Sequence, residues 1–152
     1  MKRISLLVTY CLVLTLFSCK TQEEITPNRS EKLNKTYTTD SGLQYVFTEL
    51  GEGARAKSGD KVSVHYIGKL ENGKEFDNSY KRSTPFSFTI GEGKVIKGWD
   101  EGIALLNVGD KAVFTIPSQL GYGPMEIPGL IPANSNLIFE VELLDIVQGA
   151  GN

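Results

Sequence analysis

Few residues of this sequence could act as nucleophiles, general bases or metal ligands. His65 is the only histidine, and the two cysteines, Cys11 and Cys19, lie in or beside an apolar run at the N-terminus. His65 alternates away from the apolar face of a predicted strand, so we interpret it as a solvated side chain. Catalytic dyads and zinc sites need partners that the rest of the chain lacks. The sequence therefore predicts a site with neither a metal nor a cofactor.

Two glycine-rich stretches resemble phosphate-binding loops but lack a defining residue. Residues 91–93 begin like a dinucleotide-binding loop, yet Ile96 stands where its third glycine would be. Residues 93–98 have the spacing of a P-loop, yet Trp99 occupies the position of its lysine. These departures argue against phosphate binding.

Aromatic side chains remain as the candidate site. Six of them come from six separate segments: Tyr66, Phe76, Phe86, Trp99, Tyr122 and Phe139. Such a set often forms only a core, but Asp77 directly follows Phe76, and a carboxylate among rings needs hydrogen-bonding partners. Tyr66 and Arg82 are the candidate partners. The loop 120–132 carries three prolines and three glycines and has the length of a binding loop.

The elements that must position these residues are mostly strands. Residues 91–106 predict a glycine-punctuated loop followed by one short helix, with Trp99, Ile103 and Leu106 on one face. We predict an α+β fold in which four or five antiparallel strands form a twisted β-sheet wrapped around that one short α-helix. Strands are predicted at residues 43–50, 61–70, 86–90, 112–116 and 137–143.

The first residues have the layout of a secretory signal. Lys2 and Arg3 precede an apolar run over residues 4–17 that is too short to span a bilayer comfortably. The run ends in the sequence LFSC, which resembles the bacterial lipoprotein cleavage box and makes Cys19 the predicted lipidation site. Several acyl chains on Cys19 would anchor the protein firmly.

These features divide the chain into four parts and suggest where it resides. Lys20 follows the cysteine, whereas the resemblance to enterobacterial lipoproteins implies that an aspartate there would favour retention in an inner membrane. We therefore expect the cell envelope and prefer the outer membrane to the inner one. A periplasmic or secreted protein is the alternative. The predicted parts are a signal peptide (1–18), a lipid-anchored flexible tether (19–36), a folded domain (37–148) and a C-terminal tail (149–152).

Charge and composition limit the classes of molecule that this protein could bind. The chain is 40% hydrophobic and 22% charged, as is ordinary for a globular domain. Removal of residues 1–18 leaves 14 basic residues against 18 acidic ones. This excess of negative charge disfavours nucleic acid and anionic lipid headgroups, so we expect membrane contact through the lipid anchor only.

Seven motifs occur in order between residues 42 and 147. They read VHYIG at 64–68, GKEFDNS at 73–79, PFSF at 85–88, VIKGWDEG at 95–102, GYG at 121–123, IP at 131–132 and LIFEVELL at 137–144. Together they resemble the FKBP-type peptidyl-prolyl cis-trans isomerases. The resemblance runs from about residue 42 to residue 147, which is most of the predicted domain.

The resemblance implies an apolar pocket between sheet and helix that holds a proline ring. It implies catalytic roles for Asp77, for the Ile96 N–H as a donor to a substrate carbonyl and for the Tyr122 hydroxyl. Arg82 and Tyr66 are expected beside Asp77, and both are predicted to bind substrate. By position, Trp99 looks like the pocket floor. The implied walls are Tyr66, Phe76, Phe86, Val95, Ile96, Ile131 and Phe139.

The resemblance also implies the reaction and its partners. We expect catalysis of rotation about X-Pro bonds in unfolded or newly exported envelope proteins, with proline-containing polypeptides and macrolides as ligands. The loop 123–130 departs from the family pattern at Glu126 and Leu130, which affects substrate preference and macrolide affinity more than catalysis. A peptide-binding chaperone on the same fold is the alternative function, and a structural spacer is a third.

Overall fold

The computed structural model describes residues 29–147 of the 152-residue chain. The predicted signal peptide, Cys19 and residues 148–152 lie outside the described part. Within residues 29–147 no helix is both long and apolar enough to cross a membrane.

The described residues form one antiparallel sheet of seven strands and one α-helix. The strands follow the order β1-β2-β6-β7-β3-β4, and β5 pairs with β3 beside this path. The helix α1 spans Lys97–Ile103 and connects β5 to β6. Three short 3-10 turns lie at Arg29–Lys32, Tyr80–Arg82 and Ser118–Leu120. The strands are β1 Thr36–Thr38, β2 Gln44–Glu49, β3 Lys61–Leu70, β4 Glu75–Asn78, β5 Phe86–Thr89, β6 Lys111–Ile116 and β7 Leu137–Val147.

This architecture confirms the predicted fold class. The five predicted strands correspond to β2, β3, β5, β6 and β7, and the predicted helix is α1. Strands β1 and β4 were not predicted, because three and four residues are too few to show an alternating pattern. Leu106 lies beyond the end of α1 but is fully buried with Ile103.

The core lies between α1 and the inner face of the sheet. Two glycines of the helix allow a close approach to β6, because they lack the Cβ that would collide with it. A Cβ on Gly98 would stand 2.6 Å from the Ile116 side chain, and one on Gly102 would stand 3.0 Å from the Phe114 ring. The helix therefore rests directly on the sheet and fixes the height of Trp99 above it.

Within the described residues, contacts with the folded domain already occur at Arg29, before the predicted domain boundary at residue 37. Arg29 donates hydrogen bonds to the Gly51 carbonyl and to the carboxylate of Asp110, which is fully buried. Leu33 then bridges to Phe47, and β1 adds an edge strand to β2. The residues assigned to a flexible tether therefore include a segment held by an ion pair and strand pairing, which local composition does not reveal.

We predict that Asp110→Ala lowers the free energy of unfolding by about 3 kcal/mol. The Asp110 carboxylate accepts hydrogen bonds from the backbone N–H groups of Gly51 and Asn107, at 2.7 Å each, as well as from Arg29. Removing it leaves buried donors without an acceptor. Urea unfolding measures the change, with the exposed Asp40→Ala as a control expected within about 0.5 kcal/mol of wild type. Equal stabilities for the two variants would refute the anchoring role.

Candidate active site

A cavity of about 790 Å³ opens between the inner face of the sheet, the start of α1 and the loop 120–132. This volume suits a small ligand. Every wall and floor residue predicted from the resemblance lines it, and so do Asp77 and Tyr122. Those wall and floor residues are Tyr66, Phe76, Phe86, Val95, Ile96, Trp99, Ile131 and Phe139.

Trp99 forms the floor of the cavity. It is 4% exposed, and its ring meets those of Tyr66, Phe139 and Phe86 nearly edge to face, at centroid distances of 4.9, 5.2 and 5.9 Å. Its indole N–H is buried and has no hydrogen-bond partner among the described residues. The floor is therefore held by ring contacts and presents an apolar surface.

A glycine on β3 brings two wall rings together. Gly68 lies opposite Asp77 on β4 and Phe139 on β7. A Cβ at this position would stand 2.7 Å from the Phe76 ring and 2.9 Å from the Phe139 ring. Because glycine leaves this space free, the two rings pack edge to face at 5.5 Å and close one side of the cavity.

A hydrogen-bonded cluster borders the same wall. The Tyr66 hydroxyl and the Arg82 guanidinium each donate to a different oxygen of Asp77, and Arg82 also donates to the Tyr66 hydroxyl at 3.1 Å. Both predicted partners of Asp77 are thus in place. Arg82, predicted to bind substrate, is not among the residues that line the cavity, and its guanidinium donates to Asp77 and Tyr66 instead.

The cluster keeps Asp77 ionised and Tyr66 protonated. Burial by itself would raise the pKa of Asp77, but the hydrogen bonds from Arg82, Tyr66 and the Asn78 N–H outweigh it and leave the pKa below its ordinary value. Burial and the hydrogen bond to Asp77 raise the pKa of Tyr66. The cavity wall therefore carries a fixed negative charge compensated by Arg82.

Ile96 lines the cavity just before α1 and carries a backbone donor without a partner in the described part of the chain. The Ile96 carbonyl accepts a hydrogen bond from the Trp99 N–H at 2.9 Å, while the Ile96 N–H has no acceptor among the described residues. Asp100, in the first turn of α1, accepts from the N–H groups of Gly91 and Gly93 at 2.9 and 3.1 Å. Asp100 thereby holds the loop that carries Val95 and Ile96 over the cavity.

Tyr122 stands across the cavity on the loop 120–132. It is half-buried, and its hydroxyl has no hydrogen-bond partner within residues 29–147. Burial, followed by the charge of Asp77, raises the pKa of Tyr122. Paired backbone hydrogen bonds between Ile127 and Ile131, at 2.8 and 2.9 Å, close the loop. A second donor without a partner among residues 29–147 thus belongs to a residue that lines the same cavity as Ile96.

An apolar slot with two free donors and a compensated carboxylate suits an uncharged, planar ligand. The sequence profile of FKBP-type peptidyl-prolyl cis-trans isomerases matches residues 52–144, which is more than half of the chain. The chain belongs to this family. As a member, it is a peptidyl-prolyl cis-trans isomerase.

Individual relatives agree with the family match. FK506-binding protein 1 of Saccharomyces cerevisiae is 57% identical over 97 residues, which cover 63% of this chain and 85% of the relative. The isomerase FkpA of Buchnera aphidicola is 47% identical over 128 residues, which cover 84% of this chain and 52% of the relative. The solved structure of AtFKBP13 superposes with a TM-score of 0.70 at 40% identity and covers 74% of this chain and 99% of that one.

The structure of this FKBP-type isomerase corrects the interpretation of His65. The imidazole is half-buried, lies 2.8 Å from the Ser79 hydroxyl through Nδ1 and stacks on the Tyr80 ring at 4.4 Å. The prediction that His65 points away from the apolar face is confirmed, but the imidazole is only partly solvated because the Tyr80–Arg82 turn folds back over the outer face of β3. No group of three or more potential metal ligands occurs within residues 29–147.

Sequence reasoning missed residues that complete the FKBP-type site. Asp100 was given no role, although a carboxylate in the first turn of a helix often binds free backbone N–H groups. Met125 and Leu130, which are 66% and 46% exposed, form an apolar rim with Phe86. Leu130 was already predicted to affect substrate preference, whereas the exposed Met125 was not predicted, because an exposed apolar residue has no signature of its own in the sequence.

Proposed function

We propose that this isomerase seats the proline of an unfolded polypeptide over Trp99 and accelerates rotation of the preceding peptide bond without covalent chemistry. Rotation must overcome loss of amide resonance, a barrier of roughly 18–20 kcal/mol. The observation that carries the proposal is the aromatic slot with free donors at Ile96 and Tyr122. A planar amide is charge-separated and is stabilised by water, whereas the twisted amide is less polar. An aromatic cavity therefore favours the twisted form relative to water.

The two donors and the carboxylate have separate parts in this proposal. The Ile96 N–H binds a substrate carbonyl, and Tyr122 donates a second hydrogen bond across the slot. Asp77 fixes the Tyr66 ring in the wall and sets a negative charge beside the twisting bond. Each 1.4 kcal/mol by which these contacts prefer the twisted amide gives about a tenfold rate increase. The same slot supports binding of FK506-type macrolides, which compete with a prolyl peptide if they occupy it.

We predict that Tyr122→Phe lowers kcat/KM about three- to tenfold. The change removes one hydrogen bond to the substrate, worth about 1 kcal/mol, and keeps the ring. An uncoupled isomerisation assay on an X-Pro peptide measures it. Tyr37→Phe is the matched control, because Tyr37 stacks on Tyr45 and does not line the cavity. Equal rates for the two variants would remove Tyr122 from the mechanism.

The pKa shifts predict a flat pH profile near neutrality. Asp77 has a pKa below its ordinary value of about 3.9, and Tyr122 has one above about 10, so neither changes charge between about pH 7 and 9. We expect a constant kcat/KM over that interval and a decline above about pH 10. Because the folded state lowers the pKa of Asp77, its contribution to stability is present at neutral pH and is lost as the pH falls below about 3.9. A rate that changes severalfold between pH 7 and 9 would contradict these assignments.

We further propose that the protein is lipid-anchored in the cell envelope through Cys19 and acts on newly exported proteins. The charged and apolar N-terminal run with its LFSC box supports this location. Mass spectrometry of the mature protein tests it, with Cys19→Ala as the comparison. An acylated wild type and an unacylated, soluble variant are expected. A mature mass that changes only by the substitution itself would exclude the anchor.

A peptide-holding chaperone is the second candidate, supported by the exposed apolar rim of Phe86, Met125 and Leu130. The two functions separate in an Asp77→Ala variant, since this change alters the cluster and leaves the rim intact. If aggregation of an unfolded client is suppressed equally by wild type and variant while only the isomerase rate falls, both functions exist and are independent. If neither wild type nor variant suppresses aggregation of the client, the protein acts only as an isomerase.

A further inference from the structure

Ser79 lies immediately after β4 and links the outer face of the sheet to the wall of the active site. It is fully buried. Its hydroxyl oxygen lies 2.8 Å from the Tyr66 N–H nitrogen, 2.8 Å from His65 Nδ1 and 3.2 Å from the Tyr66 carbonyl oxygen. The Ser79 N–H also donates to the Tyr66 carbonyl at 3.0 Å. Ser79 thus contacts the backbone of Tyr66 on both its donor and acceptor sides.

The Ser79 hydroxyl replaces a strand carbonyl. Ile67 on β3 pairs with Asn78 on β4, so in a continuing strand the next pair would be Tyr66 with Ser79. In that pairing the Ser79 carbonyl would accept from the Tyr66 N–H. Instead the Ser79 carbonyl accepts from the backbone N–H of Arg82 at 3.1 Å and closes the first turn after β4. The Ser79 side-chain oxygen therefore accepts the hydrogen bond from the Tyr66 N–H in place of the Ser79 carbonyl.

This exchange allows two features of the site to coexist. The Tyr66 backbone stays paired at the point where its ring enters the cavity wall, and the chain turns early enough for Arg82 to reach Asp77. The hydroxyl has one proton, which it donates to His65 or to the Tyr66 carbonyl. Its oxygen therefore stays free to accept from the Tyr66 N–H. An alanine would leave that buried N–H without an acceptor.

We propose that Ser79 is a positioning residue for the isomerase reaction, acting through the Tyr66–Asp77–Arg82 cluster. The inference rests on the proposed role of Asp77 in catalysis. It goes beyond that role by assigning the geometry of the cluster to one hydroxyl outside the cavity, since Ser79 is not among the residues that line it.

A double-mutant cycle on the full chain tests the proposal. Ser79→Ala should lower kcat/KM about tenfold in the wild-type background and less than twofold in an Asp77→Ala background, because the cluster is then already lost. Ser79→Thr, which keeps the hydroxyl, should restore most of the rate. Urea unfolding of every variant shows whether activity follows the cluster or merely stability. If Ser79→Ala does not fold, Ser79→Cys is used in the same cycle, since sulfur is a weaker acceptor at the same position.

The outcomes separate this inference from the function it extends. An equal loss in both backgrounds, or a loss matched by the fall in stability alone, would overturn the positioning role. An active Asp77→Ala enzyme would overturn the role of the cluster and the inference with it. A strong effect of Asp77→Ala together with no effect of Ser79→Ala would overturn the inference alone.

Discussion

Asp77→Ala is expected to lower kcat/KM about tenfold or more while the free energy of unfolding changes little. The carboxylate accepts from both Tyr66 and Arg82, and its side chain is 37% exposed. A charge that exposed contributes little to stability because solvent screens it. It nevertheless fixes a wall ring and a charge beside the twisting bond, where about 1.4 kcal/mol of lost preference for the twisted amide corresponds to tenfold in rate.

The control for this change is Asp145→Ala, which removes an exposed carboxylate near the end of β7. Steady-state rates with an X-Pro peptide and urea unfolding should be measured for both variants. Only Asp77→Ala should lose activity. A fully active Asp77→Ala enzyme would leave the aromatic slot and its two donors as the source of catalysis.

Trp99→Ala should lower the free energy of unfolding by about 3–5 kcal/mol and remove most of the activity. The ring is buried against Tyr66, Phe86 and Phe139 and forms the base on which the proline would rest. Its removal leaves a void that neighbouring rings enter, so KM should rise together with the loss of stability. Because Trp99 is the only tryptophan, far-UV circular dichroism must replace intrinsic fluorescence as the probe of unfolding.

Trp99→Phe is the matched control, since it keeps an aromatic surface on the same helical position. Its stability and KM should lie between those of wild type and Trp99→Ala. If Trp99→Ala unfolds at the same urea concentration as wild type, the floor does not support the fold. If its KM is also unchanged, the proline does not bind over this ring.

The strands that carry a clear alternating pattern were predictable from the sequence. Residues 61–70, predicted as a strand, coincide with β3, whose buried and half-buried residues alternate along its length. Strands β1 and β4 were not predictable, because they form through pairing with β2 and β3 rather than through their own composition. The same holds for Arg29, whose place in the fold depends on Asp110, 81 residues further along the chain. Long-range partners of this kind leave no local pattern.

The rings of the site were predictable because the family motifs contain all six of them and the sequence periodicity places four of them on inward faces. The structure brings all six aromatic residues to one cavity. Asp100 and Ser79 were not predicted, because each acts through hydrogen bonds to the backbone of other segments. Such bonds depend on how two chain segments meet, which the identity of an aspartate or a serine does not disclose.

The central claim is that a proline ring seated over Trp99 has its peptide bond rotated faster than in water. Exchange spectroscopy by NMR on an X-Pro peptide with the full chain measures cis–trans interconversion without a coupling enzyme. We predict saturable exchange that takes far less time than the tens to hundreds of seconds of the uncatalysed reaction. We also predict chemical-shift changes of Trp99, Phe139 and the Ile96 N–H on peptide binding. Interconversion at the uncatalysed rate, or shifts confined to residues outside the cavity, would contradict it.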